Sequence, residues 1–323
     1  MMRRNGAQAL LRGFGTWWMD LPGGNWFGDA RIWEVQRELN PLEERLLARR
    51  APFQPEIAAV VGQDAMCHLT GGSSVLARPL VYESRAALGR SGAPYGQYLL
   101  DDAVAGRIPG RLQFFLAAWS LTPAERDGLR DRRRPGTTRV WCHAPGYSDG
   151  TRRDPAFIRE TCGFQVREAT VAQPVATPTE RGRELGLTES WGQKVPIAPL
   201  FAVVPEAGDE VLATYADGSP ALVARVAPTG TDIFLGTPAL TSELVRVCAR
   251  LAGVHLFCES DAAVWAVEGL LSVHAVADGP LNLQFPATVV LRDAVDGRVV
   301  GEGTRLEVPF RKGETRVFAS SAP

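Results

Sequence analysis

The sequence predicts an α/β protein built on a doubly wound parallel sheet and followed by a small antiparallel β-sandwich. Between residues 51 and 254, short apolar runs alternate with amphipathic runs of helical period. This alternation is typical of βαβ units. From residue 255 onward, apolar and polar residues alternate one by one and Asp-Gly steps recur, which is typical of antiparallel hairpins.

The first fifty residues predict a helix, a strand and a second helix. Residues 3–12 have apolar positions on one helical side, and residues 29–49 repeat this pattern after Asp29, a suitable helix cap. Between them, the aromatic run FGTWWM predicts a short buried strand over residues 14–19. One such unit cannot bury both faces of its strand, so we expect it to pack on another part of the protein.

The α/β region continues with strands and helices in turn. The predicted strands are EIAAVVG, YGQYLLDD, LQFFLAAW, TTRVWCHA and TDIFLGTPAL. Helices are predicted over residues 78–92, after Thr122, and over residues 241–253, and residues 210–226 predict a hairpin. Residues 166–206 predict an irregular excursion with short edge strands. This order predicts a sheet of flavodoxin-like or glutamine-amidotransferase-like type.

The last region, residues 255–323, predicts the β-sandwich. Its segments alternate apolar and polar residues, as half-buried strands do. Asp278-Gly279 and Asp296-Gly297 predict two tight hairpin turns.

Composition excludes several functions. The net charge is −1, so no bulk attraction to nucleic acid or to an anionic membrane is expected. No apolar run reaches the roughly 18 residues of a membrane span, and the N-terminus lacks the apolar core of a signal peptide. The 5 cysteines are odd in number and form no C-x-x-C pair, which argues against a disulfide framework or zinc site and favours a cytoplasmic location.

Most reactive residues favour structural roles. Cys142 lacks the glycine-flanked turn of a nucleophile, so a buried structural cysteine is favoured, and His143 should point to the opposite face of the same strand. No histidine shows metal-ligand spacing, so neither a metal site nor a cofactor is predicted. The pair Asp101-Asp102 favours helix capping, and the Gly-rich segment 70–74 favours a loop over a phosphate cradle.

One stretch, GTWWMDLPGGNWFGD over residues 15–29, resembles the wall of a sugar-binding pocket. Aromatic rings cover the apolar faces of sugars, and carboxylates accept hydrogen bonds from hydroxyl groups. Core or interface packing of the same tryptophans is the alternative.

This stretch and its flanks, RRNGAQALLRGFGTWWMDLPGGNWFGDARIW, resemble the last part of the catalytic barrel of glycoside hydrolase family 42 β-galactosidase-like enzymes. Three later segments resemble the β-galactosidase trimerisation domain: PFQPEIAAVVGQDAMCHL, RPLVYESRAALGRSGAPYGQYLLDDAVAGRIP and VWCHAPGY. Three more resemble the sheet domain that closes such chains: LTSELVRVCARLAGVHLF, LLSVHAVADGPLNLQFP and RKGETRVF. Together they cover nearly the whole chain in the family's order.

The resemblance implies three domains. Residues 1–50 would be the C-terminal remnant of a (β/α)8 barrel, with residues 14–19 as its eighth strand. Residues 51–254 would be the trimerisation-like α/β domain, and residues 255–323 the C-terminal β-sandwich domain. A homo-oligomer, expected to be a trimer, is implied as well.

The resemblance also implies what the site contains. Retaining glycosidases use two carboxylates about 5 Å apart, and in this family they are expected to be glutamates on the fourth and seventh barrel strands. Both positions would precede Met1, and the first glutamate is Glu34, inside a predicted helix. No catalytic residue is therefore expected. The residues expected to contact a β-galactoside or related glycoside, only in an intact barrel, are Trp17, Trp18, Asp20 and Trp26.

Three hypotheses remain open from the sequence. The first is a C-terminal fragment of a β-galactosidase-like glycoside hydrolase, inactive alone, that serves as an oligomerisation or accessory portion. The second is a β-galactosidase subunit that is active only when the missing barrel is supplied upstream. The third is an independent α/β module that binds a ligand or has amidotransferase-like activity.

Overall fold

The structure is a computed structural model, and it describes residues 2–19, 23–24, 26–49, 53–69 and 74–323. These residues form two compact units. The first, here the β unit, comprises residues 1–54, 89–94 and 255–323. The second, here the α/β unit, comprises residues 55–88 and 95–254.

The helices of the described residues are short, apart from the second. They are α1 (Met2–Leu11), α2 (Ala30–Arg49), α3 (Gln63–Cys67), α4 (Ser74–Ala77), α5 (Ser84–Gly89), α6 (Leu100–Val104), α7 (Pro123–Asp131), α8 (Pro155–Cys162), α9 (Glu180–Glu184) and α10 (Ser242–Leu251). A 3-10 turn covers Trp26–Gly28, and a π-helical turn, Arg78–Glu83, joins α4 to α5. Within the described part of the chain, no helix has the length and apolar character needed to cross a membrane.

The strands divide between the two units. Those of the α/β unit are β1 (Ile57–Val61), β2 (Tyr95–Leu99), β3 (Leu112–Ala117), β4 (Thr138–Cys142), β5 (Val166–Glu168), β6 (Val175–Pro178), β7 (Trp191–Gly192), β8 (Phe201–Val203), β9 (Asp209–Thr214), β10 (Pro220–Ala227) and β11 (Gly230–Leu235). Those of the β unit are β12 (Ala262–Val267), β13 (Leu270–Ala275), β14 (Gly279–Asp293), β15 (Val299–Phe310) and β16 (Thr315–Ser321).

A nine-stranded mixed sheet forms the α/β unit, in the order β2-β1-β3-β4-β11-β10-β9-β6-β7. The five strands from β2 to β11 run parallel to one another, and the hairpin β9–β10 and its neighbours add antiparallel strands. β5 and β8 pair as a separate two-stranded sheet. The sequence predicted a parallel sheet with short edge strands, and the observed sheet is mixed because the edge strands extend it.

The middle of this sheet is the core of the α/β unit. Every residue of β3 and of β4 is buried, as expected for strands covered on both faces. Phe115 and Trp141 stack across the two strands with ring centroids 4.2 Å apart. The helix α7 begins as the sequence predicted. The Thr122 hydroxyl accepts a hydrogen bond from the Glu125 amide, and the Glu125 carboxylate accepts one from the Thr122 amide.

The β unit contains one five-stranded antiparallel sheet, in the order β12-β13-β16-β14-β15. Alternate residues of β12 enter two different cores: Val264 lies in one and Trp265 in the other. The second core is formed with α1 and α2, because Leu11 and Leu39 pack in the cluster that holds Trp265 and Val317. The two ends of the chain therefore share one core. The sequence predicted a β-sandwich here, whereas the described strands form a single sheet.

The predicted strand over residues 14–19 is wrong. These residues form neither helix nor strand, and Phe14 and Trp17 are exposed. A strand requires a neighbour for its backbone groups, and this segment pairs with none of the described strands. Instead, the Phe14 amide donates to the Ala9 carbonyl and so helps to end α1.

One of the two predicted Asp-Gly hairpins is confirmed. Asp296-Gly297 connects β14 to β15, which pair directly, and Gly297 has a positive φ of 75°. Asp278-Gly279 does not form a hairpin, because β16 lies between β13 and β14 in the sheet.

Candidate functional site

A cavity of about 550 Å³ opens in the α/β unit at the carboxyl ends of its parallel strands. β2 and β3 both follow β1 in the chain, yet they lie on opposite sides of it. The strand order therefore reverses next to β1. Open α/β sheets bind ligands in the crevice outside the carboxyl ends at such a point. The topology thus places the cavity where this class of fold forms binding sites.

Segments that follow three neighbouring strands form the wall of the cavity. His68 and Leu69 follow β1, Trp119 and Ser120 follow β3, and His143 follows β4. Further wall residues are 147–148 and 150–153 of the segment after β4, and the loop 196–199. The wall is therefore a mixture of aromatic, aliphatic, hydroxyl and basic side chains, and none of its described residues is an aspartate or glutamate.

Backbone hydrogen bonds hold the segment after β4 against the end of β3. The Gly146 amide donates to the Ala118 carbonyl (2.6 Å), and the Ser148 amide donates to the Trp119 carbonyl (2.9 Å). The Leu121 amide in turn donates to the Ser148 carbonyl (2.8 Å). Such pairing fixes the position of the loop that carries the polar part of the wall.

Arg152 and Arg153 lie on this loop, and the side chain of Asp149 fixes the conformation of the loop. Asp149 Oδ1 accepts hydrogen bonds from the amides of Arg152 and Thr151 and from the Thr151 hydroxyl. These hydrogen bonds lower the pKa of Asp149 to about 2. The Arg152 guanidinium lies 3.8 Å from both Asp149 and Asp154, whereas Arg153 forms no ion pair with any described residue.

His143 has an unusual backbone conformation. Its φ is 64°, the one positive φ of a non-glycine residue in the described chain, and its side chain is buried. This left-handed conformation ends β4 abruptly, so His143 does not continue the strand as the sequence predicted. Nδ1 lies 3.4 Å from the Gly236 carbonyl oxygen. Burial lowers the pKa of His143 to about 4, which keeps the ring neutral near pH 7.

Cys142 is a buried structural cysteine, as the sequence predicted. It is 1 % exposed at the end of β4, and burial raises the pKa of its thiol. A nucleophilic cysteine must reach its thiolate form near neutral pH, which this environment opposes. Cys142 does not belong to the wall of the cavity.

The aromatic N-terminal stretch is less fully described. Trp17 is 76 % exposed and Trp18 is half-buried. Asp20 lies outside the described residues, and Trp26 is described only by its backbone, in the 3-10 turn. The contact of these residues with a sugar remains a prediction.

Two other sequence predictions concern polar segments. Asp102 caps α6, because it accepts a hydrogen bond from the Leu99 amide (3.4 Å), and it also pairs with Arg107 (2.8 Å). Most of the Gly-rich segment, residues 70–73, lies outside the described residues. Where the chain is described, no three His, Cys, Asp or Glu side chains come together as a group able to hold a metal ion.

Comparison with known proteins gives no match to a protein-family model or to a curated protein. Solved structures do share the fold. A β-galactosidase from Bacillus circulans sp. alkalophilus has a TM-score of 0.65 at 15% identity over 89% of this chain. Gan42B, a GH42 β-galactosidase from G. stearothermophilus, has a TM-score of 0.61 at 13% identity over 91% of it.

This chain spans 44% of the length of each of these two β-galactosidases. An α-L-fucosidase, isoenzyme 2 from Paenibacillus thiaminolyticus, also shares the fold, with a TM-score of 0.60 at 11% identity over 100% of this chain and 57% of its own. The predicted resemblance to part of a GH42 β-galactosidase is confirmed at the level of the fold.

Proposed function

We propose that this chain is a non-catalytic portion of a β-galactosidase-like glycoside hydrolase, in which the α/β unit mediates assembly into a trimer. The observation that carries this proposal is the shared fold with GH42 β-galactosidases over less than half of their length. In this proposal, residues 1–50 derive from the end of a (β/α)8 barrel and residues 51–254 are the trimerisation domain, with a flavodoxin-like or amidotransferase-like core. Residues 255–323 are the closing β domain, and the protein is cytoplasmic.

The proposal includes the absence of catalytic carboxylates. A retaining glycosidase needs two carboxyl groups about 5 Å apart on either side of the glycosidic bond. Residues 2–33 contain no glutamate, and Glu34 lies in α2. The described wall of the cavity also has no acidic side chain. Trp17, Trp18, Asp20 and Trp26 would contact a β-galactoside only in the presence of a complete barrel.

Activity on a chromogenic β-galactoside tests this part. We expect the purified chain to give no hydrolysis above the protein-free rate. Turnover that persists through purification would contradict the absence of catalytic carboxylates. The coding DNA upstream of Met1 gives a second test, because an open frame of roughly the length needed for the rest of a 250-residue barrel is expected there.

An exposed apolar patch on the α/β unit offers a contact for assembly. It is formed by Met66, Ala77, Val81 and Tyr82 together with the aliphatic part of Arg78, the one charged residue among its described members. Tyr82 is 63% exposed, and Met66, Ala77 and Val81 are half-buried. Apolar patches on a surface often mark protein interfaces. We therefore assign the contact between copies to this patch.

Light scattering coupled to size-exclusion chromatography tests the assembly. We expect a trimer for the native chain and a smaller species for Tyr82→Glu, because a buried unpaired carboxylate opposes association. Val226→Glu is the matched control, since Val226 is 77% exposed in the same unit but does not belong to the patch. A monomeric native chain would refute the proposed role in assembly.

The cavity favours a second candidate function, an independent α/β module that binds a ligand. Its position at the strand-order reversal supports this candidate. Amidotransferase-like chemistry is the less favoured form of it, because Cys142 is buried with a raised thiol pKa and lies outside the cavity wall.

A further inference from the structure

The cavity of the α/β unit carries an inference about its ligand. We propose that it binds a small organic anion, whose carboxylate or phosphate group is held by Arg153 and whose aromatic or apolar body lies against Trp119 and Tyr147. This inference rests on the second candidate function, ligand binding by the α/β unit, and is independent of assembly.

The charged side chains of the cavity wall favour an anionic ligand. Arg152 and Arg153 belong to the wall, and its described residues include no carboxylate. The nearby carboxylate of Asp149 is occupied by hydrogen bonds from its own loop, and Arg152 lies close to Asp149 and Asp154. Arg153 is therefore the cation left for a ligand, and a guanidinium binds carboxylates and phosphates in a bidentate manner.

An unused hydrogen-bond donor gives independent support. Trp119 is 6% exposed, and its Nε1 is buried with no partner among the described residues. A buried donor without an acceptor costs free energy, so such groups are rare in folded proteins. An anion supplies acceptor oxygens, and Trp119 belongs to the cavity wall, so we expect this donor to bond an oxygen of the bound anion.

The remaining wall fits an apolar or aromatic body. Tyr147 packs with its ring centroid 5.0 Å from that of Phe201, which fixes its orientation. Leu69, Val75 and Ile197 add aliphatic surface. The cavity volume of about 550 Å³ lies within the range of sites for small organic molecules.

The strained backbone of His143 points to the same place. Residues in sparsely populated backbone conformations cluster at functional sites, where the surrounding structure holds them. His143 is in the wall, and its Nδ1 faces a carbonyl oxygen, so a neutral ring donates there and keeps Nε2 as an acceptor. The ring is therefore uncharged near pH 7, and Arg153 remains the group that would neutralise an anion.

Calorimetric titration of the full chain tests the inference with benzoate and phenyl phosphate as probes and benzyl alcohol as their uncharged counterpart. We expect at least one of the two anions to bind with a Kd below about 10 mM, and benzyl alcohol to bind about tenfold more weakly. Comparison of the two anions tells a carboxylate ligand from a phosphate ligand.

Variants locate the binding. Arg153→Gln should weaken anion binding about tenfold. Trp119→Phe, which keeps a smaller aromatic ring but removes the N–H, should weaken it several-fold. Arg159→Gln is the matched control, because Arg159 is exposed on α8 outside the wall and should leave the Kd unchanged.

Three outcomes would overturn the inference. If Arg153→Gln and Arg159→Gln weaken binding equally, the anion is not held in the cavity. If benzyl alcohol binds as tightly as benzoate and Trp119→Phe alters both, the unit binds ligands but not anions in particular. If no probe binds, both the inference and the ligand-binding candidate fail, whereas the trimer test is unaffected.

Discussion

Arg133 and Asp232 form an ion pair in the α/β unit, with Nη1 and Oδ2 2.5 Å apart and both side chains about six-sevenths buried. Asp232 lies on β11 directly opposite Arg139 of β4, and its Oδ1 accepts a hydrogen bond from Trp141 Nε1 (2.9 Å). Arg139 is buried as well, and this burial lowers its pKa to about 10. One carboxylate thus compensates two buried arginines where the parallel strands meet the antiparallel ones.

Asp232→Ala should destabilise the α/β unit strongly. Removal of one partner from a buried pair leaves uncompensated charge and typically costs about 3–5 kcal/mol of unfolding free energy. Urea unfolding, followed by tryptophan fluorescence, measures this change in the free energy of unfolding. Asp127→Ala is the matched control, since the Arg130–Asp127 pair is exposed and its loss should leave the midpoint unchanged. Equal midpoints for the two variants would show that the buried pair does not stabilise the sheet.

The backbone at His143 predicts a reversal of the usual order of alanine and glycine. In extended positions glycine is less stable than alanine, but at a φ of 64° an alanine Cβ is strained and glycine is not. His143→Gly should therefore unfold at a higher urea concentration than His143→Ala, and its free energy of unfolding should be greater by about 1 kcal/mol.

Thr138 provides the control for this comparison, because it is an extended residue of the same strand β4. There, Thr138→Ala should be more stable than Thr138→Gly by about 0.5–1 kcal/mol. The same order of alanine and glycine at both sites would mean that His143 is not held in the left-handed conformation.

Some features of this fold were predictable because their causes are local. The run LQFFLAAW is apolar apart from Gln113 and the indole N–H of Trp119, so it predicted the fully buried strand β3. Thr122 and Glu125 are three residues apart, and this spacing alone indicates the capping box that begins α7.

Other features depend on contacts between distant segments. Residues 14–19 have the composition of a strand but no strand beside them, and β16 enters the sheet between β13 and β14 although it comes last in the chain. The cavity collects residues from segments as distant as His68 and Pro199. Periodicity within one segment carries no information on such meetings, and it gave no sign of the left-handed His143.

Acid should weaken the protein through His143. Its pKa is lowered from 6.5 to about 4 in the folded chain, so between these values the unfolded state binds a proton that the folded state does not. The contribution of His143 to the free energy of unfolding should therefore be complete above pH 6.5. It should fall as the pH drops toward 4, by about 3 kcal/mol in total. Melting temperatures across this range measure the loss. In His143→Gly this part of the slope should disappear, and parallel curves for both proteins would contradict it.

The shared core of the β unit predicts that the N-terminal helices stabilise the C-terminal sheet. Leu11 of α1 is 1% exposed in the cluster that contains Trp265 of β12, whereas Leu47 of α2 is 74% exposed. Leu11→Ala should cost about 2–5 kcal/mol, because it removes buried methyl groups and leaves a cavity. Leu47→Ala should change the unfolding free energy by less than about 0.5 kcal/mol. If the helix supports the sheet, the amides of β12, β13 and β16 should exchange hydrogen faster in Leu11→Ala than in the native chain. Faster exchange confined to α1 would instead mean that the sheet is stable without the first fifty residues.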